Sequence, residues 1–438
     1  MKNTKTQGYE RLAGFFDAGT FVELCAYVAR PGREDAEGVV CGYGARDGRL
    51  VFAFAQDSTR MKGALDARHA DKIVAVYQKA LAVGAPIVGM FDCAGAVVFE
   101  GASALAAYGK LLACTAAARA KVPQLAVICG SCAGTMAAVA ANFDMVITAG
   151  DAAKLYVSSP SLVGEEIGTA AYLAKNATTA LSAATEQEAL ALVGELLSYL
   201  PDRSGARAPE SVTDDLNRML SLPAGVDAKG ALSAAVDAGR FLQLYKEASA
   251  CVCAGLANMG GIACVALAID GVLDLAAVRV LQRVQTLAAE QGLPVVSFVN
   301  CQGLAASAAD EPEMATALAA LSRVLCAERS PRITVIVGDA IGAGFLFGGA
   351  KTLHADLVLA LPEARISVLT PAAGVAFLWN DRITPDCTRE QLEQEWRDAA
   401  APEAAAAVGE VDDIIAPTEL RARILAGLMM LRDKRCTL

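Results

Sequence analysis

The sequence is poor in histidine, in aromatic residues and in positive charge. Its 438 residues include 2 histidines, and aromatic residues make up 5% of the chain. His69 and His354 fall at non-equivalent places in the internal repeat described below, so a catalytic histidine pair is not expected, and each is predicted to be a surface or capping residue. The net charge of -10 argues against nucleic acid as a general partner, although a local basic pocket on an acidic protein can still bind an anion.

Several familiar motifs are also missing. No phosphate-binding G-x-x-x-x-G-K-[ST] run occurs. Residues 1–12 contain no apolar signal-peptide core, so the 13 cysteines are expected to be reduced thiols of a cytoplasmic protein. Cys129 and Cys132 have C-x-x-C spacing without a thioredoxin-like unit around them, so no redox centre is predicted. The charge-free stretch 248–269 has two glycines near its centre, which predicts strand, turn and strand rather than a membrane span.

The two halves of the chain repeat each other. Three pairs of segments match in order and at nearly constant spacing: 17–24 with 237–244, 84–95 with 292–303, and 123–134 with 331–342. A duplication explains this better than the generic punctuation of βαβ units. In each half a strand hairpin precedes a helix, near 69–83 and 275–291, that leads into a buried apolar strand. This order predicts an α/β fold with mostly parallel sheets, and a further helix over 186–200 precedes a polar linker.

Glycine-rich segments follow four of the predicted strands, at 93–96, 130–135, 301–304 and 338–344. Glycine lets backbone N–H groups approach a ligand, and a helix that begins after such a segment adds the positive end of its dipole. Such donors can stabilise an oxyanion on a thioester or urea carbonyl. Small residues also suit tight packing of a helix on a sheet, so a single segment is ambiguous, whereas the paired occurrence favours function.

Six segments along nearly the whole chain share a pattern, at 63–73, 84–89, 100–109, 132–134, 196–201 and 409–417. Together they resemble the motifs of biotin-dependent carboxyltransferases, nearest the propionyl-, methylmalonyl- and glutaconyl-CoA branch. The resemblance implies an α/β fold of two duplicated crotonase-like (ClpP/crotonase) ββα-spiral domains. Residues 1–200 would be the domain that holds the acyl-CoA, residues 201–224 a linker, and residues 225–438 the domain that receives biotin.

The resemblance also implies partners. Sites in this family form where the first domain of one subunit meets the second domain of another, so a homodimer or higher oligomer is expected. The chain has no Met-Lys-Met biotinylation sequence, so biotin has to arrive on a separate biotin carboxyl carrier protein. Biotin carboxylase or membrane decarboxylase subunits would be further partners, and a location at the periphery of such a membrane complex is one option. No metal is expected.

The site residues are implied in the same way. The backbone around Gly134 and Thr135 would hold an acyl-CoA enolate, and that around Gly342, Ala343 and Gly344 the ureido oxygen of biotin. The remaining candidates contact the acyl-CoA (Ala94, Gly95, Ala96, Cys132, Ala133, with Arg60 and Lys62 at its phosphates) or biotin (Gln302, Gly303, Ile341).

The chain departs from the family pattern at several of these positions. Thr135 follows Gly134 where the family usually has a second glycine, and Val97 stands where it usually has arginine. These departures leave two alternatives open. One is a non-catalytic subunit that serves as the scaffold of a complex. The other is a standalone crotonase-type hydratase or isomerase, for which Glu100 would be the acid or base.

Overall fold

The structure is a computed structural model, described here for residues 6–28, 38–327 and 330–434. It divides into two compact units, Met1–Pro209 and Glu210–Leu438, called the first unit and the second unit below. The division between them falls inside residues 201–224, where the sequence predicts a linker. No helix in the described ranges is both long enough and apolar enough to cross a bilayer.

The first unit is built on one mixed sheet. Its strands are β1 (Val22–Leu24), β2 (Val39–Arg46), β3 (Arg49–Gln56), β4 (Ile87–Cys93), β5 (Gln124–Ala133), β6 (Met145–Ala149), β7 (Lys154–Tyr156) and β8 (Leu181–Ala183). The strand order is β1-β2-β3-β4-β5-β6-β8, with β7 paired to β5. Pairing is antiparallel from β1 to β3 and parallel thereafter. The helices are α1 (Gln7–Phe15), α2 (Ala67–Val83), α3 (Ala102–Ala118), α4 (Thr135–Ala141), α5 (Pro160–Val163), α6 (Ala170–Lys175) and α7 (Glu186–Tyr199).

The second unit repeats this plan. Its strands are β9 (Phe241–Leu244), β10 (Val252–Met259), β11 (Ile262–Leu273), β12 (Val295–Leu304), β13 (Arg332–Ile341), β14 (Leu357–Ala360), β15 (Arg365–Ser367) and β16 (Asp413–Ile414). The order β16-β14-β13-β12-β11-β10-β9, with β15 on β13, matches the first sheet strand for strand. The helices are α8 (Ala228–Ala235), α9 (Leu275–Gln291), α10 (Glu311–Ala327), α11 (Ala343–Gly349), α12 (Pro371–Leu378), α13 (Arg389–Ala399), α14 (Pro402–Ala407) and α15 (Leu420–Met430).

Local sequence signals set the ends of the two long crossover helices, α2 and α9. Each begins after an aspartate whose side chain accepts a backbone N–H of the first turn, Asp66 in one and Asp274 in the other. Each ends at a glycine in the left-handed conformation, Gly84 or Gly292. The helices predicted near 69–83 and 275–291 are therefore confirmed, as is the helix predicted over 186–200, which is α7. The charge-free stretch 248–269 forms the β10–β11 hairpin, as predicted.

A buried aspartate ties the second hairpin to the last helix. Asp237 accepts N–H groups from Gly260 (2.8 Å) and Gly261 (2.7 Å) at the hairpin turn and from the guanidinium of Arg421 (2.9 Å) on α15. The side chain of Arg421 is 1% exposed. In the first unit Asp17 holds the corresponding turn, where Asp47 N–H and Gly48 N–H donate to its carboxylate, but these contacts are exposed and Asp17 is only half-buried.

Candidate functional site

In both units the predicted glycine-rich segments lie side by side at the carboxyl ends of the two central strands. The register pairs Cys93 of β4 with Cys132 of β5, and Cys301 of β12 with Ala340 of β13. In each case the register shifts just before this pair, which is the irregularity of a bulge. The strands also continue further than predicted, since β12 extends through the 301–304 segment. Ligand sites of parallel sheets form at this edge.

The glycine that precedes each short helix has the same unusual backbone conformation. Gly134 has φ 64° and ψ -135°, and Gly342 has φ 52° and ψ -123°, a region that only glycine occupies without strain. Each donates its own N–H to a neighbouring strand end, Gly134 to the Tyr156 carbonyl (2.9 Å) and Gly342 to the Ser367 carbonyl (2.8 Å). The N–H groups that follow, starting at Thr135 and Ala343, belong to the first helical turn and lack a partner within their helix.

The segments on the neighbouring strands are duplicated as well. Gly95 has φ 129° and Gly303 has φ 116°. The thiols of Cys93 and Cys301 donate to the carbonyls of these glycines, at 3.3 Å and 3.5 Å. Burial raises the pKa of the Cys93 thiol to about 11, so it is a structural donor rather than a nucleophile.

A buried ion pair lies next to the end of β4, which carries one of the first-unit glycine segments. Arg11 on α1 donates to the Asp92 carboxylate (3.3 Å) and to Glu186 (2.8 Å), and Ser58 donates to the same Asp92 oxygen (2.8 Å). The side chains of Arg11 and Asp92 are 5% and 12% exposed. Asp92 immediately precedes Cys93, so this cluster fixes the strand end that carries the candidate site.

At the corresponding strand end the second unit has an amide in place of the ion pair. By strand register Asn300 corresponds to Asp92, and by helix position Ala231 corresponds to Arg11. Asn300 donates to Asp270 (3.1 Å), whose carboxylate also accepts the N–H of Ala228 (2.8 Å) at the start of α8. The loss of the arginine and the replacement of the acid by an amide therefore occur together, so position 300 carries no carboxylate that would need a cation.

His69 is not at the surface, so that part of its prediction is wrong, although its N–H does take part in the helix cap by donating to Asp66 (2.8 Å). Its side chain is 1% exposed, because it lies on the face of α2 that packs against the sheet. Its Nε2 lies 3.2 Å from Gln56 Nε2, and Gln56 Oε1 accepts the N–H of Asp92 (3.1 Å), so the ring adjoins the polar cluster. Burial lowers the pKa of His69 to about 4, so the ring is neutral near pH 7. His354, by contrast, is exposed.

Among the residues that the structure describes, polar side chains join the two segments of the second unit but not those of the first. Gln302 donates from Nε2 to Asp339 Oδ2 (3.2 Å) and to Asn300 Oδ1 (3.4 Å). The corresponding residues of the first unit are Ala94 and Ser131. Among the predicted site residues Gln302 was included and Asp339 was not. The repeat could have revealed it, because the sequence pairing of 123–134 with 331–342 already sets Asp339 against Ser131.

An apolar cavity of about 460 Å³ adjoins Gly342. Phe345 and Leu346 of α11 and Val368 after β15 line it, together with Ala405 on α14. A volume of this order suits a small organic ligand. No sequence pattern indicated it, because α14 lies some 60 residues beyond the glycine segment along the chain.

Within each unit, most of the predicted site residues lie close to one another. Cys132 and Ala133 lie on the end of β5 beside Ala94–Ala96, and Ile341 lies on β13 beside Gln302 and Gly303. The carbonyl of Lys62 accepts the Ala94 N–H (3.0 Å), so its loop borders the first-unit site, with the Lys62 side chain exposed and Arg60 half-buried. Within residues 6–28, 38–327 and 330–434 no group of three or more His, Cys, Asp or Glu side chains could hold a metal ion.

Comparison with known proteins shows the family of the chain. The family described as carboxyl transferase domain matches residues 2–438. The chain is 30% identical to the propionyl-CoA carboxylase carboxyltransferase subunit of Haloferax mediterranei and 32% identical to methylmalonyl-CoA decarboxylase subunit alpha of Veillonella parvula. In both cases 98% of this chain and 91% of the relative are covered.

Among solved structures, transcarboxylase 12S, described as a hexamer assembly with methylmalonyl-CoA and methylmalonic acid bound, has a TM-score of 0.90 at 25% identity, covering 99% of this chain and 91% of that chain. This match confirms the predicted pair of crotonase-like domains. The chain belongs to the carboxyl transferase domain family, and its resemblance to carboxyltransferase components of biotin-dependent carboxylases and decarboxylases is confirmed.

Proposed function

We propose that this chain moves a carboxyl group between carrier-bound biotin and an acyl-CoA, through an enolate held by backbone N–H groups. The proposal rests on the pair of equivalent helix starts at Gly134 and Gly342. Both glycines have the same backbone conformation, and each donates its N–H to a carbonyl at the end of a neighbouring strand. The reaction has two partners that each develop negative charge on a carbonyl oxygen, and the duplicated fold supplies one set of donors for each.

The first unit is assigned to the acyl-CoA. The N–H of Thr135 and those of the Gly95–Ala96 segment would stabilise the thioester oxygen of the enolate. The side chain of Thr135 is exposed, so a threonine in place of glycine leaves the backbone donor unchanged. Lys62 and Arg60 would meet the phosphates of the coenzyme, because their loop borders the Ala94 backbone.

The second unit is assigned to biotin, and its residues fit that group. The N–H groups of Ala343 and Gly344, in the first turn of α11, would be the donors for the ureido oxygen, and the adjoining apolar cavity suits the hydrocarbon part of the ring system and side chain. When bound, biotin supplies or accepts the carboxyl group. The protein's own part is to orient both partners, exclude water and stabilise developing charge.

We further propose that the chain works as an oligomer with a biotin carboxyl carrier protein and carboxylase or decarboxylase subunits. Large apolar side chains are exposed close to both candidate sites: Val98 and Phe99 follow the first-unit segment, and Val368 follows the strand that fixes Gly342. Exposed large apolar residues beside a candidate site are typical of surfaces that another protein covers.

The test is decarboxylation by the purified chain with free biotin. Malonyl-, methylmalonyl- and glutaconyl-CoA would each be offered, and release of CO2 would be followed with and without biotin. Release that requires biotin from one of these esters is the expected result, and it would also name the substrate class. The Gly134→Ala and Gly342→Ala variants should lose it, since each site contributes one half of the reaction.

Other results would favour other functions. Folded protein that binds no acyl-CoA but still associates with a carrier protein would favour the non-catalytic scaffold. Hydration or isomerisation of an enoyl-CoA without biotin, abolished by Glu100→Gln, would favour the standalone crotonase-type enzyme.

A further inference from the structure

We infer that Glu410 is a specificity-determining residue of the second unit, and that its carboxylate accepts a hydrogen bond from a ureido N–H of biotin in the cavity beside Gly342. This inference rests on the proposed assignment of the second unit to biotin, and it names the side chain that would distinguish a ureido ring from other cyclic ligands. The observation behind it is a carboxylate without a partner in a cavity whose other walls are almost entirely apolar.

Glu410 is the one charged residue among the described residues that line this cavity. Its Oε2 atom is buried, and within residues 6–28, 38–327 and 330–434 that oxygen has no hydrogen-bond partner. The other lining residues are apolar except Ser367, whose hydroxyl oxygen accepts the Nε1–H of Trp396 (3.0 Å). A buried carboxylate oxygen without a donor costs free energy, so a ligand that brings an N–H to it gains binding energy.

The backbone around Glu410 is fixed by contacts that do not involve its side chain. The Glu410 N–H donates to the carbonyl of Ala405 on α14 (3.0 Å), and Ala405 lines the same cavity. On the other side Val411 is buried, and the carboxylate of Asp412 accepts the N–H of Val358 in β14 (2.8 Å). Replacement of the Glu410 carboxylate should therefore remove the acceptor and leave the cavity in place.

The first unit differs at the equivalent positions. By the pairing of β8 and β16 with their neighbouring strands, Thr178 corresponds to Glu410 and Leu173 corresponds to Ala405. The same backbone hydrogen bond supports this match, since the Thr178 N–H donates to the Leu173 carbonyl (2.8 Å). Leu173 is buried in the core of the first unit, whereas Ala405 lines the cavity of the second. The second unit thus combines a smaller side chain, which leaves room for a ligand, with a carboxylate.

The chemistry of a ureido ring matches this combination. The ring is neutral and compact, and its carbonyl is flanked by two N–H donors. An N–H that donates to a carboxylate makes a charge-assisted hydrogen bond, and a neutral ring brings no second ion out of water when it enters the cavity. An alkylammonium ion would have to lose its hydration to reach the same carboxylate, so the ureido ring is the favoured occupant. The enolate of a thioester offers no N–H, so the first unit needs no such acceptor.

The experiment compares the wild-type chain with four variants, Glu410→Leu, Glu410→Gln, Ala405→Leu and Glu403→Leu. The last is a matched control, because Glu403 is an exposed glutamate on α14 that does not line the cavity. Far-UV circular dichroism checks that each variant is folded. Binding is followed by tryptophan fluorescence, since Trp396 donates to the cavity-lining Ser367.

Four probes separate the possible occupants. They are biotin, 2-imidazolidinone (the bare ureido ring), 1,3-dimethyl-2-imidazolidinone, in which both N–H groups are methylated, and butylamine, which carries a cation. The rate of biotin-dependent CO2 release from an acyl-CoA is measured on the same protein samples, so that binding and turnover can be compared directly.

The wild-type chain should bind 2-imidazolidinone at least about tenfold more tightly than the dimethyl compound, as expected for a hydrogen bond to a charged acceptor, and more tightly than butylamine. Glu410→Leu should abolish the preference for the N–H compound and raise the KM for biotin about tenfold, with the KM for acyl-CoA unchanged. Glu410→Gln keeps a neutral acceptor and should retain a preference of about threefold. Ala405→Leu should weaken binding of every probe because leucine fills the cavity, and Glu403→Leu should behave as wild type.

Three results would overturn the inference even if biotin-dependent decarboxylation proceeds: a wild-type chain without preference for the N–H compound, a Glu410→Leu variant that keeps the preference, or tighter binding of butylamine. Should Glu410→Leu fail to fold, an undiminished preference in Glu410→Gln would count against the inference in its place. N–H-dependent binding that requires Glu410, without turnover, would refute the proposed function and support the ureido contact. A chain that neither binds nor uses biotin would overturn both.

Discussion

Replacement of Arg11 by methionine is the sharpest test of how the first-unit site is held together. Arg11→Met keeps most of the side chain's volume and removes the cation that Asp92 faces. The carboxylate of Asp92 then stays buried, with Ser58 as its remaining donor. Breaking a buried ion pair by the loss of one partner costs about 3–5 kcal/mol of folding stability, which is the expected effect here.

The second unit suggests the compensating change. There an amide, Asn300, replaces Asp92, and no arginine is needed. Adding Asp92→Asn to Arg11→Met removes the unpaired charge, so the double variant should regain about half of the lost stability. Arg279→Met is the control: its ion pair with Glu313 is exposed, and its loss should cost less than about 1 kcal/mol.

Urea unfolding followed by far-UV circular dichroism is the assay. Tryptophan fluorescence is unsuitable, because Trp379 and Trp396 both lie in the second unit and do not report on Arg11. A double variant no more stable than Arg11→Met would refute the reasoning, since it would show that the unpaired carboxylate is not the source of the loss. The same conclusion would follow if Arg11→Met lost no more unfolding free energy than the Arg279→Met control.

Three further predictions concern the buried ring of His69, the backbone conformation of Gly134 and Gly342, and the buried carboxylate of Asp237. The pKa of His69 is lowered from 6.5 to about 4 by burial, so between these values the unfolded chain binds a proton that the folded chain does not. Stability should therefore fall by up to about 3 kcal/mol as pH drops from 6.5 to 4, and His69→Gln should flatten this part of the profile; an unchanged slope would contradict it. Gly134→Ala and Gly342→Ala should each lower biotin-dependent decarboxylation at least about tenfold, because alanine is strained at these φ and ψ values, whereas Gly14→Ala on the exposed face of α1 should not; activity retained in either variant would count against the oxyanion assignment. Asp237→Ala should cost about 3 kcal/mol or more in urea unfolding, because it leaves Arg421 buried without that partner, and clearly more than Asp17→Ala at the equivalent surface turn; equal losses would show that the Arg421 contact adds nothing.

Local pattern in the sequence was enough to determine the duplicated plan, the approximate bounds of α2 and α9 and the position of the glycine segments. Helix α9, for example, follows directly from an apolar period between Asp274 and Gly292, and each of these signals acts within a few residues. The glycine segments could be placed at strand ends because a parallel sheet sets all its carboxyl ends at one edge.

Tertiary structure alone decided which side chains meet there. Arg11 and Asp92 are 81 positions apart, and Gln302 and Asp339 are 37 apart, so each pair depends on strand register and helix packing rather than on local spacing. The burial of His69 has the same cause: its segment looks polar, but α2 turns that face toward the sheet. Sequence periodicity gives the face of an element, whereas the partner on the opposite element is set only when the whole sheet is assembled.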